Sequence, residues 1–318
     1  MNHLTAAFAF NLLVIGAAHA AGRFLPPEPF SSAALGTNRI VRIWLPPSYD
    51  TSPAARYPVL YLHDGQNVFS SAGPHVAFGW GNWEVDLIVE RLVRERRMSE
   101  IILVAIDNTA KRFQEYRGRT TTFTDEEKKS SRWPVIDAGD NSAYERYARF
   151  LTTELKPAID RRFRTLAEPA HTGVLGSSMG GIVSLALAWD HPDVFGLAAS
   201  MSGAYQVEKQ HFLETVLRPY AGQPKPLKLY FDCGAKSGTN GDDGRPNTEA
   251  VIAELRRIGW REDVNLRYFL DEHPLTPAQL APLKLADNKF KEAQASQHNE
   301  LYWRLRVWRP LEFLFPAR

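Results

Sequence analysis

The sequence predicts an α/β fold, a mainly parallel doubly wound sheet with helices on both faces. Three observations predict it. Short, mainly apolar runs recur at 57–62, 101–106, 195–201 and 227–232, as expected of strands buried on two sides. Segments with helical spacing separate them. One apolar run passes through Gly176-Ser177-Ser178-Met179-Gly180-Gly181 directly into a helix-like segment, the strand, sharp turn and helix that a nucleophile elbow requires.

Taken in order, residues 38–45 alternate polar and apolar, which predicts a half-exposed edge strand, stopped by Pro46-Pro47. The run at 57–62 ends in His63-Asp64-Gly65-Gln66-Asn67. Val85, Ile88, Val89, Leu92 and Val93 share one face of a helix over 83–97. The strand at 101–106 ends in Asp107-Asn108, and the polar stretch 117–139, with Trp133-Pro134, reads as a solvated loop. A helix is expected over 143–163, kinked at Pro157 and closed by Arg161, Arg162 and Arg164, which suit the negative end of its dipole. Further helices are expected at 206–217, 247–258 and 299–315, and a last strand at 264–270. The polar segment 271–297 carries Pro274, Pro277 and Pro282. Loops that carry chemistry should lie at the carboxyl ends of the strands.

The 318 residues contain no repeat and no linker, so one domain over 21–318 is expected. A net charge of +2 gives no electrostatic case for nucleic acid or an anionic membrane. Cys233 is the one cysteine, which excludes an internal disulfide and a cysteine metal site, and the nine histidines lack ligand-like spacing. No metal and no cofactor is expected. Residues 1–20 read as a secretory signal: 4–18 is apolar except Thr5 and Asn11, and Ala18-His19-Ala20 is a small-x-small cleavage site. The run is short for a membrane span, and the region before it lacks Lys and Arg. A bacterial periplasmic or extracellular product without a stable membrane anchor follows.

The glycines flanking Ser178 allow strand and helix to approach, so Ser178 is the candidate nucleophile. A serine hydroxyl needs a base, and the base needs a carboxylate. With the chain order Ser, acid, His of this elbow type, the residues offer His191, His273 and His298. His191 closes the elbow's own helix, and His211 reads as a surface residue. The amide of Met179, next after the nucleophile, is one expected oxyanion donor.

Six separated motifs then carry a resemblance. They are Tyr61-Leu62-His63-Asp64-Gly65-Gln66-Asn67-Val68-Phe69, Val104-Ala105-Ile106-Asp107-Asn108, Arg112 with Glu115-Tyr116, Leu155-Lys156-Pro157-Ala158-Ile159-Asp160-Arg161-Arg162-Phe163, the elbow with His191-Pro192-Asp193-Val194-Phe195-Gly196, and His298-Asn299-Glu300 with Trp303. Over about residues 38–316 the chain resembles the putative-esterase family of α/β hydrolases, whose relatives include feruloyl esterases, enterochelin-type esterases and mycolyltransferases. The resemblance implies the α/β-hydrolase fold, His298 as base, and Gln66 as second oxyanion donor, with Asp64, Asn67 and Trp80 on the leaving-group side. It places the acid just after the strand ending at Cys233-Gly234, where Ala235-Lys236-Ser237 stands. Asp242 is favoured as acid, with Asp243, Asp232 or a bare Ser–His dyad left open.

The expected activity is that of a secreted serine esterase on a small-molecule or carbohydrate-linked ester. An acyltransferase with a sugar or other alcohol acceptor is an alternative, as is a non-catalytic binding protein on the same fold. Trp80, Trp83 and Trp133 are candidate stacking aromatics, Trp83 rather as core. If His298 is the base, 271–297 is an insertion expected to cover the cleft mouth. N-terminal sequencing of the exported product checks the signal: it should begin at Ala21, and an intact Met1 in the soluble fraction would overturn it.

Overall fold

The computed structural model describes residues 21–119, 142–237 and 241–317. The expected signal at 1–20 and Trp133 lie outside the described residues. Strands β1 (Arg23–Phe24), β2 (Glu28–Ser32), β3 (Thr37–Leu45), β4 (Val59–His63), β5 (Ile102–Ile106), β6 (Thr172–Ser177), β7 (Leu197–Met201), β8 (Lys228–Gly234) and β9 (Leu266–Asp271) join in one sheet. Its order is β1-β3-β5-β4-β6-β7-β8-β9, with β2 beside β3. Every pairing from β5 to β9 is parallel, and β3 runs antiparallel to β5.

The continuous apolar runs are explained by burial on both faces. In β4, Val59 and Tyr61 point into one core and Leu60 and Leu62 into the other. Helices α1 (Val85–Arg94) and α9 (Trp308–Leu314) cover the second face through Val85, Val89, Leu92, Leu311 and Leu314. The first face is covered by α3 (Ala143–Arg149), α4 (Lys156–Arg162), α5 (Met179–Asp190) and α6 (Arg245–Ile258).

Four expectations are corrected. β3 is not an edge: β1 pairs with its end and β2 folds back on its start through the turn at 33–36, where Gly36 has φ +65°. The helix over 143–163 is broken by a π turn, Phe150–Leu155, in which Lys156 N–H reaches back to the Leu151 carbonyl. This wider turn sits just ahead of Pro157, which has no N–H to give. Residues 299–315 form two helices, α8 (Glu300–Arg306) and α9, because Pro310 lacks the donor that the Arg306 carbonyl would take. Residues 207–217 are a 3₁₀ turn and a π turn separated near Gln210, at φ +60°.

The segment 271–297 is ordered. It contains a short helix, Pro277–Leu280, with a Thr276–Gln279 capping box, then α7 (Asp287–Ala295). Its Leu280 and Ala293 form a separate small core with Ala77, Trp80, Leu301 and Tyr302.

Strands β5 and β6 leave β4 in opposite directions, so the carboxyl ends of β4 and β6 border a crevice. Beside it a buried ion pair ties β3 to α2 (Arg112–Tyr116): Arg39 Nη2 lies 2.7 Å from Glu115 Oε1 and Nη1 3.0 Å from Oε2. Their side chains are 1% and 4% exposed. Glu115→Leu should therefore destabilise by about 3–5 kcal/mol, because a buried guanidinium loses its partner. Arg39→Met with Glu115→Leu should be closer to wild type than either single change. Urea midpoints check this, and a double variant worse than both singles would refute it.

Candidate active site

Ser178 sits between β6 and α5 with φ 55° and ψ −120°, a conformation that L-residues avoid. Close approach of backbone enforces it. A Cβ on Gly176 would lie 2.7 Å from the Gly180 carbonyl carbon, and one on Gly181 would lie 2.6 Å from Ser200 Oγ and 3.1 Å from Gly203 Cα. A Cβ on Gly180 would meet Asp64 Oδ2 at 3.4 Å, an ordinary contact, so the tight positions are 176 and 181.

His298 lies in the turn before α8. Its Nε2 is 3.0 Å from Ser178 Oγ and its Nδ1 is 2.6 Å from Asp243 Oδ1. Trp303 packs against the ring in a T-shaped contact, at 5.1 Å between centroids and 81°. His273 is exposed, and His211 contacts Thr215.

The carboxylate facing His298 is Asp243, not the favoured Asp242. Asp243 takes φ +55°, which turns its side chain under the strand ends, where Oδ2 accepts from Gly234 N–H (2.6 Å) and Ser202 Oγ (2.7 Å). Asp242 faces the other way and accepts from Gly244 N–H within its own turn. Burial pushes the Asp243 carboxyl up, but the hydrogen bond and charge of His298, with Arg306 and Ser202, hold it below the usual range. Asp232 is buried at hydrogen-bond distance from Arg306, with Nη2–Oδ1 3.2 Å. Burial pushes its carboxyl up to about 6, against the pull of Arg306.

The loop after β4 brings Gln66 N–H and the start of α5 brings Met179 N–H, and among the described residues neither donates to a protein acceptor. Asp64 opens this loop with φ 57°, and a Cβ on Gly65 would collide with the Ile106 amide at 2.6 Å. Asp64 does not line a leaving-group pocket: it is 6% exposed and forms a two-pronged pair with Arg112, at 2.7 Å for each contact, with Asn108 as a further donor. Asn108 N–H also donates to Gln66 Oε1. Asn67 is half-buried and its carbonyl accepts from Trp83 N–H. Trp80 is core to the small cluster with Leu280, capped by Lys289 Nζ at 4.6 Å from its ring. Trp83 is core beside Trp303.

Sequence reasoning missed Ser202 and Arg306, and it carried Glu300 only inside a motif, with no role. Ser202 directly follows a parallel strand, and Arg306 follows Trp303 by three on a helix that is otherwise apolar inside; both were available signals. Glu300 opens α8 near His298 and Arg112, and burial pushes its carboxyl up to about 7. His63, behind the crevice, is pushed down to about 3 by burial and is neutral, with Nδ1 3.0 Å from Tyr147 Oη. Among the described residues, no three His, Cys, Asp or Glu side chains gather as a metal site. A cavity of about 510 Å³ lies far from Ser178, at the amino ends of the strands, between Pro58, His171, Lys228 and Phe315.

The chain belongs to the family described as Putative esterase, which it matches over residues 32–265. It is similar to the uncharacterised protein YbbA of Bacillus subtilis, 24% identical over 236 residues that span 71% of this chain and 81% of the relative. It is also similar to an endo-1,4-beta-xylanase/feruloyl esterase of Xylanibacter ruminicola, 25% identical over 67% of this chain and 25% of that one. Among solved structures, a ferulic acid esterase shares the fold with a TM-score of 0.62 at 18% identity, over 93% of this chain and 98% of that one. The fold is that of α/β-hydrolase esterases, and ester hydrolysis is the class of activity that family membership brings.

Gly176→Ala should cost about 1–3 kcal/mol, the range for forcing atoms into a filled site, whereas Gly180→Ala should be neutral. Urea denaturation of the two variants measures the difference; equal stabilities would contradict the close approach at Gly176.

Proposed function

We propose that this chain is an exported serine esterase that hydrolyses carboxylic esters through an acyl-enzyme. One observation carries the reading: the two ring nitrogens of His298 face Ser178 Oγ and Asp243 Oδ1 at the same time. An ionised Asp243 keeps the imidazole proton on Nδ1, which leaves Nε2 free to accept from the Ser178 hydroxyl. Ser178 Oγ attacks the ester carbonyl carbon while His298 Nε2 takes its proton. The oxyanion forms against the Gln66 and Met179 N–H groups, which preorganised in this way stabilise charge with little reorganisation. Collapse breaks the bond to the alcohol oxygen, which leaves with the proton from His298. Water then attacks the acyl carbonyl, its proton passes to His298, and the carboxylic acid leaves as Ser178 recovers its own.

Membership of an esterase family supports the reaction class. Export rests on the pattern of residues 1–20. The segment 271–297 runs directly into the turn of His298, where Ser296 Oγ accepts from His298 N–H, and this adjacency supports it as a wall of the substrate pocket. The substrate is a small-molecule or carbohydrate-linked ester.

Ser178→Ala should lower kcat by about 10⁴–10⁶ and abolish labelling by a serine-directed phosphonate, with the melting temperature retained. His298→Asn should cost several orders of magnitude and His273→Asn less than about tenfold. Asp243→Asn should cost about 10⁴ in kcat, since it favours the wrong tautomer, and Asp242→Asn less than about tenfold. Hydrolysis of a chromogenic ester panel measures all of these. Wild-type turnover by Ser178→Ala would end the reading.

A further inference from the structure

We infer that Ser202 is a positioning residue for the triad acid and that Arg306 and Trp303 fix the direction of its hydroxyl. The inference rests on the serine-esterase reading above. Ser202 follows β7 and is 0% exposed. Its Oγ has three partners: Asp243 Oδ2 at 2.7 Å, Arg306 Nη2 at 2.8 Å and Trp303 Nε1 at 3.0 Å. A hydroxyl has one proton and two lone pairs, and this one has all three in use. Guanidinium and indole nitrogens can only donate, and an ionised carboxylate can only accept. The Ser202 proton therefore has a single place to go, Asp243 Oδ2. With Gly234 N–H on the same oxygen, Oδ1 is left aimed at His298 Nδ1.

Trp303 joins this arrangement to the base directly, since its ring packs on His298 while its Nε1 holds Ser202. Arg306 supplies the charge. It is fully enclosed, 3.2 Å from Asp232 Oδ1 and 3.5 Å from Asp271 Oδ2, and reaches Asp243 through Ser202. One guanidinium thus serves three carboxylates from β8, β9 and the loop before α6. A buried carboxylate without such donors would tend to neutralise, and a neutral Asp243 could not hold the imidazolium formed during attack.

The test is a kinetic cycle between position 202 and position 243, using p-nitrophenyl acetate. Ser202→Ala, and the near-isosteric Ser202→Cys should the alanine variant not fold, are each made alone and together with Asp243→Asn. Loss of a hydrogen bond to a charged group predicts a fall in kcat of about 10- to 100-fold with KM changed less than about twofold. In the Asp243→Asn background the same change should cost less than about twofold, because Ser202 acts only through that carboxylate. Equal losses in both backgrounds would make Ser202 merely structural and overturn the inference, as would wild-type kcat in the alanine or cysteine variant. If Ser178→Ala retains wild-type turnover, the esterase reading itself fails and takes this inference with it. If Ser178→Ala and Asp243→Asn are inactive while the Ser202 variants are not, this inference alone falls.

Discussion

The geometry around Ser178 depends on one imidazole spanning two partners that are remote in sequence. His298 lies 120 residues from Ser178 and 55 from Asp243, yet it meets both within 3.0 Å. What holds it is largely the residue before it. The Gln297 amide donates to the Lys236 carbonyl, its side-chain oxygen accepts from the Ala235 and Lys236 N–H groups, and its side-chain nitrogen donates to the Asp271 carbonyl. Gln297 thus stitches the turn of His298 to the carboxyl ends of β8 and β9. The intervening segment 272–297 is closed at both ends by these bonds. Lengthening a loop already closed in this way costs little.

The loop that carries Gln66 is held by the same kind of cross-strand clamp. Asn108, at the end of β5, donates through its side chain to Asp64 and through its backbone to the Gln66 side chain. Asp64 in turn takes both prongs of Arg112. A left-handed Asp64 followed by a glycine against the Ile106 backbone sets the path of the loop, and the buried ion pair locks it. The clamp holds the Gln66 backbone in place, which is the rigidity that its proposed oxyanion role would draw on.

Buried charge recurs around the site, and each case is paired: Arg39 with Glu115, Asp64 with Arg112, Asp232 with Arg306. Such pairs are weak sources of stability against well-packed apolar groups, but breaking one is costly. Their value here is positional. Each joins elements whose relative placement the crevice needs: β3 to α2, the β4 loop to α2, and β8 to α8.

Much of the fold was legible in the sequence because its signals are local. Apolar runs marked β4 through β8, and Gly176-Ser177-Ser178-Met179-Gly180 between a strand and a helix marked the turn at Ser178. The resemblance of His298-Asn299-Glu300 to a family motif singled out the histidine that the structure places beside Ser178. The local patterns missed Pro310 as a helix breaker and the β2–β3 turn that removes the edge from β3. Other features are not local at all. Asp242 and Asp243 are adjacent and chemically identical, and nothing in their spacing says which one turns inward. That choice is made by a positive φ at Asp243 and by donors from the ends of β7 and β8, Ser202 and Gly234. Asp64 and Trp80 read as cleft residues, yet one meets Arg112 and the other Leu280, partners 48 and about 200 positions away in a chain whose closure alone brings them together. The sequence by itself determined the central strands, the glycine-flanked turn at Ser178 and the order of the candidate residues along the chain. The tertiary structure decided which carboxylate faces His298 and which polar groups hold it there, because the direction of a side chain depends on donors that arrive from other strands.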